Sequence, residues 1–224
     1  MKKLLSGIID FRKRCISHYR KKFSKLAWLG QSPDLLLVSC CDSRVAPNVF
    51  ASTDPGDVFV LRNIGNLIPP YCPAHSEDLS AVAAVDYSIL ALKVSDIIIC
   101  GHSECGAMCS FFKSQDPIPS AALKHWLNYA EPSFKRFKKL PESVLECGMS
   151  PHNLLSQVNV IQQLENLKTY PEVRARLASH QLRIHGWYFD LATGDIYYYN
   201  ENKEAFILLD EDEAERLLSK GLST

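Results

Sequence analysis

The 224-residue chain lacks an excess of either charge: 25 lysines and arginines stand against 25 aspartates and glutamates. No net field draws it toward nucleic acid or an anionic membrane, so neither is an expected partner. It also lacks any apolar run near the roughly 18 residues that a membrane-spanning helix needs. The first residues, MKKLLSGIIDFRKRC, begin like a signal peptide, but the apolar stretch from Leu4 to Ile9 meets Asp10 and Arg12 almost at once. An amphipathic basic helix is the reading, and the cytosol is the expected location. Internal repeats, low-complexity tracts and linker-like segments are missing too, which excludes solenoids and tandem domains. With 46% hydrophobic and 22% charged residues, the expectation is one domain over residues 1–224. Residues 1–30 form its N-terminal helical arm, which packs on a partner subunit.

What the chain does hold is cysteine, at positions 15, 40, 41, 72, 100, 105, 109 and 147. A disulfide framework suits small secreted domains; a long, core-rich chain without an export signal points instead to free thiols, and thiols near histidine suggest metal or catalysis. Leu35 to Ser39, Asp57 to Leu61 and Asp96 to Cys100 are short apolar runs of the kind buried on both faces of a sheet. Between the second and third, Ser76 to Val94 has helical spacing, with Ser76 as its cap. Strand, helix, strand in this order implies a parallel sheet. A long helix is expected from Pro151 to Lys168, with Val158, Ile161, Leu164 and Leu167 on one stripe. Leu182 to Asp190 and Asp195 to Tyr199 flank Ala-Thr-Gly as a hairpin, and Asp210 to Lys220 reads as a surface helix. The fold class is therefore α/β: a mostly parallel central sheet with an antiparallel edge strand and helices on both faces.

In such sheets ligands bind beyond the carboxyl ends of the strands. Cys40 follows the first strand directly and His102 follows the third after one glycine, which brings metal-type side chains to one edge. His102-Ser-Glu-Cys105 offers an imidazole and a thiol three residues apart, both suited to zinc. Taken alone, that pair reads equally well as a buried thiol beside a strand-end histidine.

Cys40-Cys41-Asp42-Ser43-Arg44, followed some sixty positions later by His102-x-x-Cys105, resembles the signature of the β-class carbonic anhydrases. The segments Gly30 to Pro33, Pro55 to Asn66, Ile99 to Met108 and Ile184 to Trp187 resemble that family's segments in the same order. The resemblance implies Zn2+ held by Cys40, His102 and Cys105, with Asp42 a conditional fourth ligand. It implies reversible hydration of carbon dioxide to bicarbonate by zinc-bound hydroxide, with Asp42 and Arg44 as the catalytic pair. It places Gln31, Phe59, Ile64 and Tyr87 at the substrate, in a cleft between subunits of a homodimer or homotetramer. For Tyr87, ordinary core packing on a helix stripe is as good a reading.

Relatives that shut the site with bicarbonate carry a tryptophan three positions before the first cysteine; here Leu37 stands there, and an open fourth position is expected. The alternatives are a carbonyl sulfide or carbon disulfide hydrolase on the same frame, and a non-catalytic zinc-binding bicarbonate sensor or scaffold. Cys41 is read as a structural thiol. His18, His75, His125, His152, His180 and His185 belong to the one residue type whose free side chain suits proton transfer near neutrality, but surface or core placement is the plainer reading of each.

Overall fold

Strand β1 (Leu35–Cys40) is the run Leu-Leu-Leu-Val-Ser-Cys, buried from Leu36 to its end. The computed structural model describes residues 1–72, 78–113, 120–146 and 148–219. Ser76 with its expected cap, His75 and Cys147 lie outside the described residues. β1 pairs in parallel with β2 (Val58–Asn63), Cys40 opposite Asn63, and with β3 (Asp96–His102), Ser39 opposite Cys100. β4 (Arg183–Phe189) joins β3 in parallel, and β5 (Ile196–Asn200) and β6 (Ala205–Leu208) continue antiparallel. The strand order is β2-β1-β3-β4-β5-β6. The antiparallel edge thus has two strands where the sequence indicated one. β6 is four residues long, too short for alternation to mark it.

Successive side chains of a strand point to opposite faces, and the sheet core divides accordingly. Leu36, Val38, Ile97 and Ile99 lie under Val160, Leu164 and Leu167 of helix α9 (Pro151–Leu167). Each such aliphatic side chain contributes roughly 1.5–3 kcal/mol when fully buried. The opposite face gathers Leu37, Ile98 and Cys100 with Phe50, Trp187 and Phe189. Phe50 reaches there from the short helix α3 (Pro47–Phe50) and stacks on Phe189 at 4.8 Å.

The arm consists of α1 (Lys2–Asp10), a π-helical stretch at Phe11–Cys15, and α2 (Ile16–Leu29). It buries no residue of its own, and Trp28 is 89% exposed. Lys22 bridges Asp54 and Asp57, tying α2 to the turn before β2. No helix among the described residues is long and apolar enough to cross a membrane.

The helix between β2 and β3 begins as α4 (Leu79–Asp86) and widens to a π-helix over Tyr87–Leu92. Between β3 and α9 stand α5 (Gly106–Cys109), α6 (Ala121–Leu127), α7 (Glu131–Phe137) and α8 (Glu142–Leu145). None exceeds two turns, so none left a periodic signature in the sequence. They nevertheless enclose a second apolar cluster that holds Cys40, Leu67, Cys105, Met108, Leu127 and Leu155. Beyond α9 come α10 (Pro171–Ala178) and, after β6, α11 (Glu211–Ser219).

Helix α9 carries a second stripe that is polar and buried. Asn159 and Gln163 are fully buried, and Asn166 nearly so. Asn159 Nδ2 donates to the Gly65 carbonyl at 3.0 Å, Gln163 Oε1 accepts from Ile68 N–H at 2.8 Å, and Asn166 Nδ2 donates to the Ile68 carbonyl at 2.8 Å. The loop after β2 is thereby satisfied by side chains, as a buried stretch of irregular backbone requires. α9 can approach the sheet closely because β3 and β4 present glycines to it. A Cβ on Gly101 would lie 2.7 Å from Val160 Cγ2 and 3.1 Å from Ser156 Oγ. Overpacking of this kind costs about 1–3 kcal/mol. Gly101→Ala is therefore expected to lower the urea midpoint with an unchanged m-value; a midpoint equal to wild type would show that α9 yields freely.

Candidate metal centre

β1 and β3 run side by side in one direction, so Cys40 and His102 emerge at the same edge of the sheet. Chain reversal at Ser103 and Glu104 then returns Cys105 to that edge, where it caps α5. Glu104 adopts φ +56°, in the left-handed region, which costs an L-residue roughly 1–2 kcal/mol. The donor atoms of Cys40, His102 and Cys105 lie within 4.8 Å of one another, and all three residues are buried.

The chemistry of this set fits a soft divalent ion. His102 Nδ1 donates to the Ser103 carbonyl at 2.8 Å, which fixes the proton on Nδ1. Nε2 is left buried and without a hydrogen-bond partner, an expensive state for a polar atom unless an ion takes its lone pair. Cys40 Sγ accepts from Gly65 N–H at 3.4 Å. The hydrogen bond from Cys105 holds Cys40 far below the ordinary thiol value, while the same bond together with burial pushes Cys105 well above it. Two sulfurs and one imidazole are donors of the kind that catalytic zinc sites use.

Asp42 stands two residues beyond Cys40 and is not part of the donor cluster. Arg44 Nε donates to its Oδ1 at 3.0 Å and Nη2 to its Oδ2 at 2.8 Å, while the Arg44 N–H also reaches Oδ1 at 3.0 Å. These bonds hold the Asp42 carboxyl well below the usual carboxylate range. Arg44 Nη2 donates in addition to the Glu104 carbonyl at 3.0 Å.

Of the other residues singled out in the sequence, Ile64 precedes Gly65, whose N–H reaches Cys40; it is 43% exposed and its carbonyl accepts from Trp126 Nε1 at 2.8 Å. Phe59 and Tyr87 touch each other at 5.7 Å between ring centroids. Phe59 stands opposite Leu36, four residues short of the Cys40 level, or about 13 Å back along the strand. Within one chain these two rings are therefore set apart from the cluster. Gln31 is exposed beyond the end of α2. Cys41 is exposed too, with its N–H bonded to the Asn63 carbonyl. Cys100 is pushed up to about 12 by burial, an inert thiol.

Sequence reasoning passed over the residues that hold the loops. Arg62 donates to the carbonyls of Cys40 (Nε 3.1 Å, Nη2 2.9 Å), Asp42 (2.8 Å) and Val45 (2.8 Å). Ser156 Oγ donates to the His102 carbonyl at 2.9 Å and accepts from the His102 N–H at 3.3 Å. Asn153 Oδ1 accepts from the Glu104 N–H at 2.7 Å. A signal existed for the last two: Asn153, Ser156, Asn159, Gln163 and Asn166 recur at helical spacing beside the apolar stripe.

The carbonic anhydrase family model matches residues 35–196. A carbonic anhydrase of Synechocystis is 37% identical over 203 residues, 89% of this chain and 71% of that protein. Carbonic anhydrase 1 of Escherichia coli is 38% identical over 209 residues, 93% of this chain and 92% of its own length. Among solved structures, the β-carbonic anhydrase CcaA superposes with a TM-score of 0.82 at 34% identity, covering 93% of this chain and 98% of that one. A structure from a study of two tetrameric β-carbonic anhydrases of Sordaria macrospora gives 0.73 at 28%, over 88% and 95%.

Removing the Arg62 guanidinium leaves several carbonyls of the Cys40–Val45 loop without their donor, at about 1–3 kcal/mol for each one that stays buried and unpaired. Arg62→Ala is expected to lower the thermal midpoint measurably. Arg62→Lys is not expected to restore it, because an ammonium on one stem cannot span three carbonyls in a plane. A fully stable lysine variant would contradict the clamp.

Proposed function

This chain belongs to the β-carbonic anhydrase family, and from that premise we propose that it hydrates carbon dioxide reversibly to bicarbonate and a proton at a zinc ion held by Cys40, His102 and Cys105. The observation that carries the reading is the convergence of two sulfurs and an unpartnered ring nitrogen at one sheet edge, beside a carboxylate fixed by arginine. When bound, zinc supplies the Lewis acidity that makes water a nucleophile at neutral pH.

The protein's own groups then select geometry. Because Arg44 keeps Asp42 ionised, the carboxylate accepts hydrogen bonds and cannot donate them. A water or hydroxyl beside it is oriented with its O–H toward Asp42, which leaves a lone pair for the carbon of the substrate. Arg44 also carries positive charge next to a site crowded with thiolate and carboxylate, which limits their mutual repulsion. Both oxygens of Asp42 are engaged by Arg44, and Leu37 occupies β1 three residues before Cys40; these observations support a fourth coordination place left to solvent, with Asp42 a ligand only on closure.

Carbon dioxide is uncharged, so an apolar pocket suits it. We assign Ile64 to that pocket from the same chain, with Gln31, Phe59 and Tyr87 contributed across an interface. The distance of Phe59 from Cys40 along the strand and the exposure of Gln31 and Tyr87 support that division. A homodimer or homotetramer follows, in which the uncovered arm (residues 1–30) packs on a neighbouring copy of a single-domain chain. Seven described cysteines are free, which suits the reducing cytosol.

Stopped-flow hydration of carbon dioxide tests the proposal. The zinc-loaded protein is expected to be active, the chelated protein inactive, and added zinc to restore it. Asp42→Asn, which can donate as well as accept, is expected to lower kcat/KM about 100-fold or more. Fast sulfide release from carbonyl sulfide with no carbon dioxide hydration would make the chain a sulfur-substrate hydrolase. Zinc binding with neither activity would make it a sensor or scaffold.

A further inference from the structure

Asp42 and Arg44 sit on the loop after β1, while His102 and Cys105 belong to the loop after β3. The bidentate pairing fixes arginine relative to aspartate, but an ion pair with Arg44 half exposed does not by itself fix either group relative to the second loop. The link between the two loops is the bond from Arg44 Nη2 to the carbonyl of Glu104. Within a loop that Arg62 already clamps, the direction of that carbonyl contributes to where the Asp42 carboxylate sits relative to the second loop.

Glu104 is held in a left-handed conformation, where glycine or asparagine would be the undemanding choice. Its hydrogen bonds account for the exception. The N–H donates to Asn153 Oδ1 at 2.7 Å, and the carboxylate Oε1 accepts from Asn153 Nδ2 at 3.1 Å. The same Oε1 lies 3.1 Å from His152 Nε2, which in turn is 3.2 Å from Ser150 Oγ. Asn153 therefore grips both the backbone and the side chain of one residue. His152 and Asn153 lie in the first turn of α9, where a carboxylate is favoured by the helix dipole. Through the bonds of Ser156, the same helix also holds His102.

We propose that the Glu104 side chain is a positioning residue for the reaction: latched by His152 and Asn153, it aims its own carbonyl at Arg44 and so sets Asp42 relative to the metal ligands. The proposal rests on the carbonic anhydrase reading, and it explains why an acidic residue occupies a left-handed position between two ligands. Metal binding is expected to outlast the loss of the latch, because Ser156 secures His102, Gly65 secures Cys40, and the N–H groups of Ala107 and Met108 hold the Cys105 sulfur.

Two variants and two readouts test it. Glu104→Ala removes the latch; Glu104→Gln keeps an oxygen for Asn153 Nδ2. In carbon dioxide hydration, Glu104→Ala is expected to lose about 10-fold in kcat with little change in KM, and Glu104→Gln to recover most of it, as for groups that orient a metal site from outside. Cobalt(II) binding to the metal-stripped protein, followed by its thiolate charge-transfer band, is expected to match wild type in both. The second readout needs no activity: the Arg44 Nε–H resonance in nitrogen-15 NMR is expected to be sharp in wild type and Glu104→Gln, and lost to solvent exchange in Glu104→Ala. Retention of that resonance in Glu104→Ala overturns the proposal, as does a kcat loss that merely follows weakened cobalt binding. Inactive wild-type protein with the expected resonance pattern would instead remove the hydration reading and leave the positioning role standing.

Discussion

The structure depends on two parallel strands finishing at one level. β1 ends on Cys40 and β3 on His102 because the register sets Ser39 opposite Cys100, and a slip of one residue would turn every core side chain to the wrong face. The alternation that buries Leu36 and Val38 against α9, and Leu37 against the other layer, therefore also fixes where the thiol and the imidazole emerge. Packing and the placement of the candidate metal donors are decided by the same contacts.

Helix α9 makes that arrangement rigid, and its two stripes divide the work. Val160, Leu164 and Leu167 press on the sheet. Ser156, Asn159, Gln163 and Asn166 satisfy the backbone of the strand ends and of the loop after β2. Buried amides are costly when unpaired and rigidifying when fully paired. Asn159, Gln163 and Asn166 are paired in their contact with the loop after β2, whereas His102 Nε2, among the donor atoms of the cluster, has no hydrogen-bond partner. An unpartnered imidazole nitrogen beside two sulfurs is what distinguishes the Cys40, His102 and Cys105 cluster as a candidate metal site.

Much of this was legible in the sequence. The three parallel strands, the long helix and the hairpin declare themselves through apolar runs and turn residues, and the spacing of Cys40, His102 and Cys105 points to a single edge. The short helices α5 to α8 did not declare themselves, since one or two turns show no period and their stability comes from the cluster around Leu67 and Met108. β6 is invisible for the same reason. The role of Arg62 was hidden differently: a strand arginine reads as a solvated face, and only the folded loop shows the carbonyls converging on it. Glu104 was hidden because nothing in a sequence reports a left-handed backbone at an acidic residue. The separation of Phe59 and Tyr87 from Cys40 within one chain likewise appears only once the register is known.

The central claim is that two thiolates and one imidazole hold a single zinc with one coordination place left to solvent. X-ray absorption at the zinc edge of the purified, zinc-loaded protein tests it most directly. The account predicts one zinc per chain with two sulfurs, one imidazole nitrogen and one light oxygen scatterer. A shell of three or four sulfurs, which would recruit another of the cysteines, or a zinc with no sulfur neighbours, would contradict it.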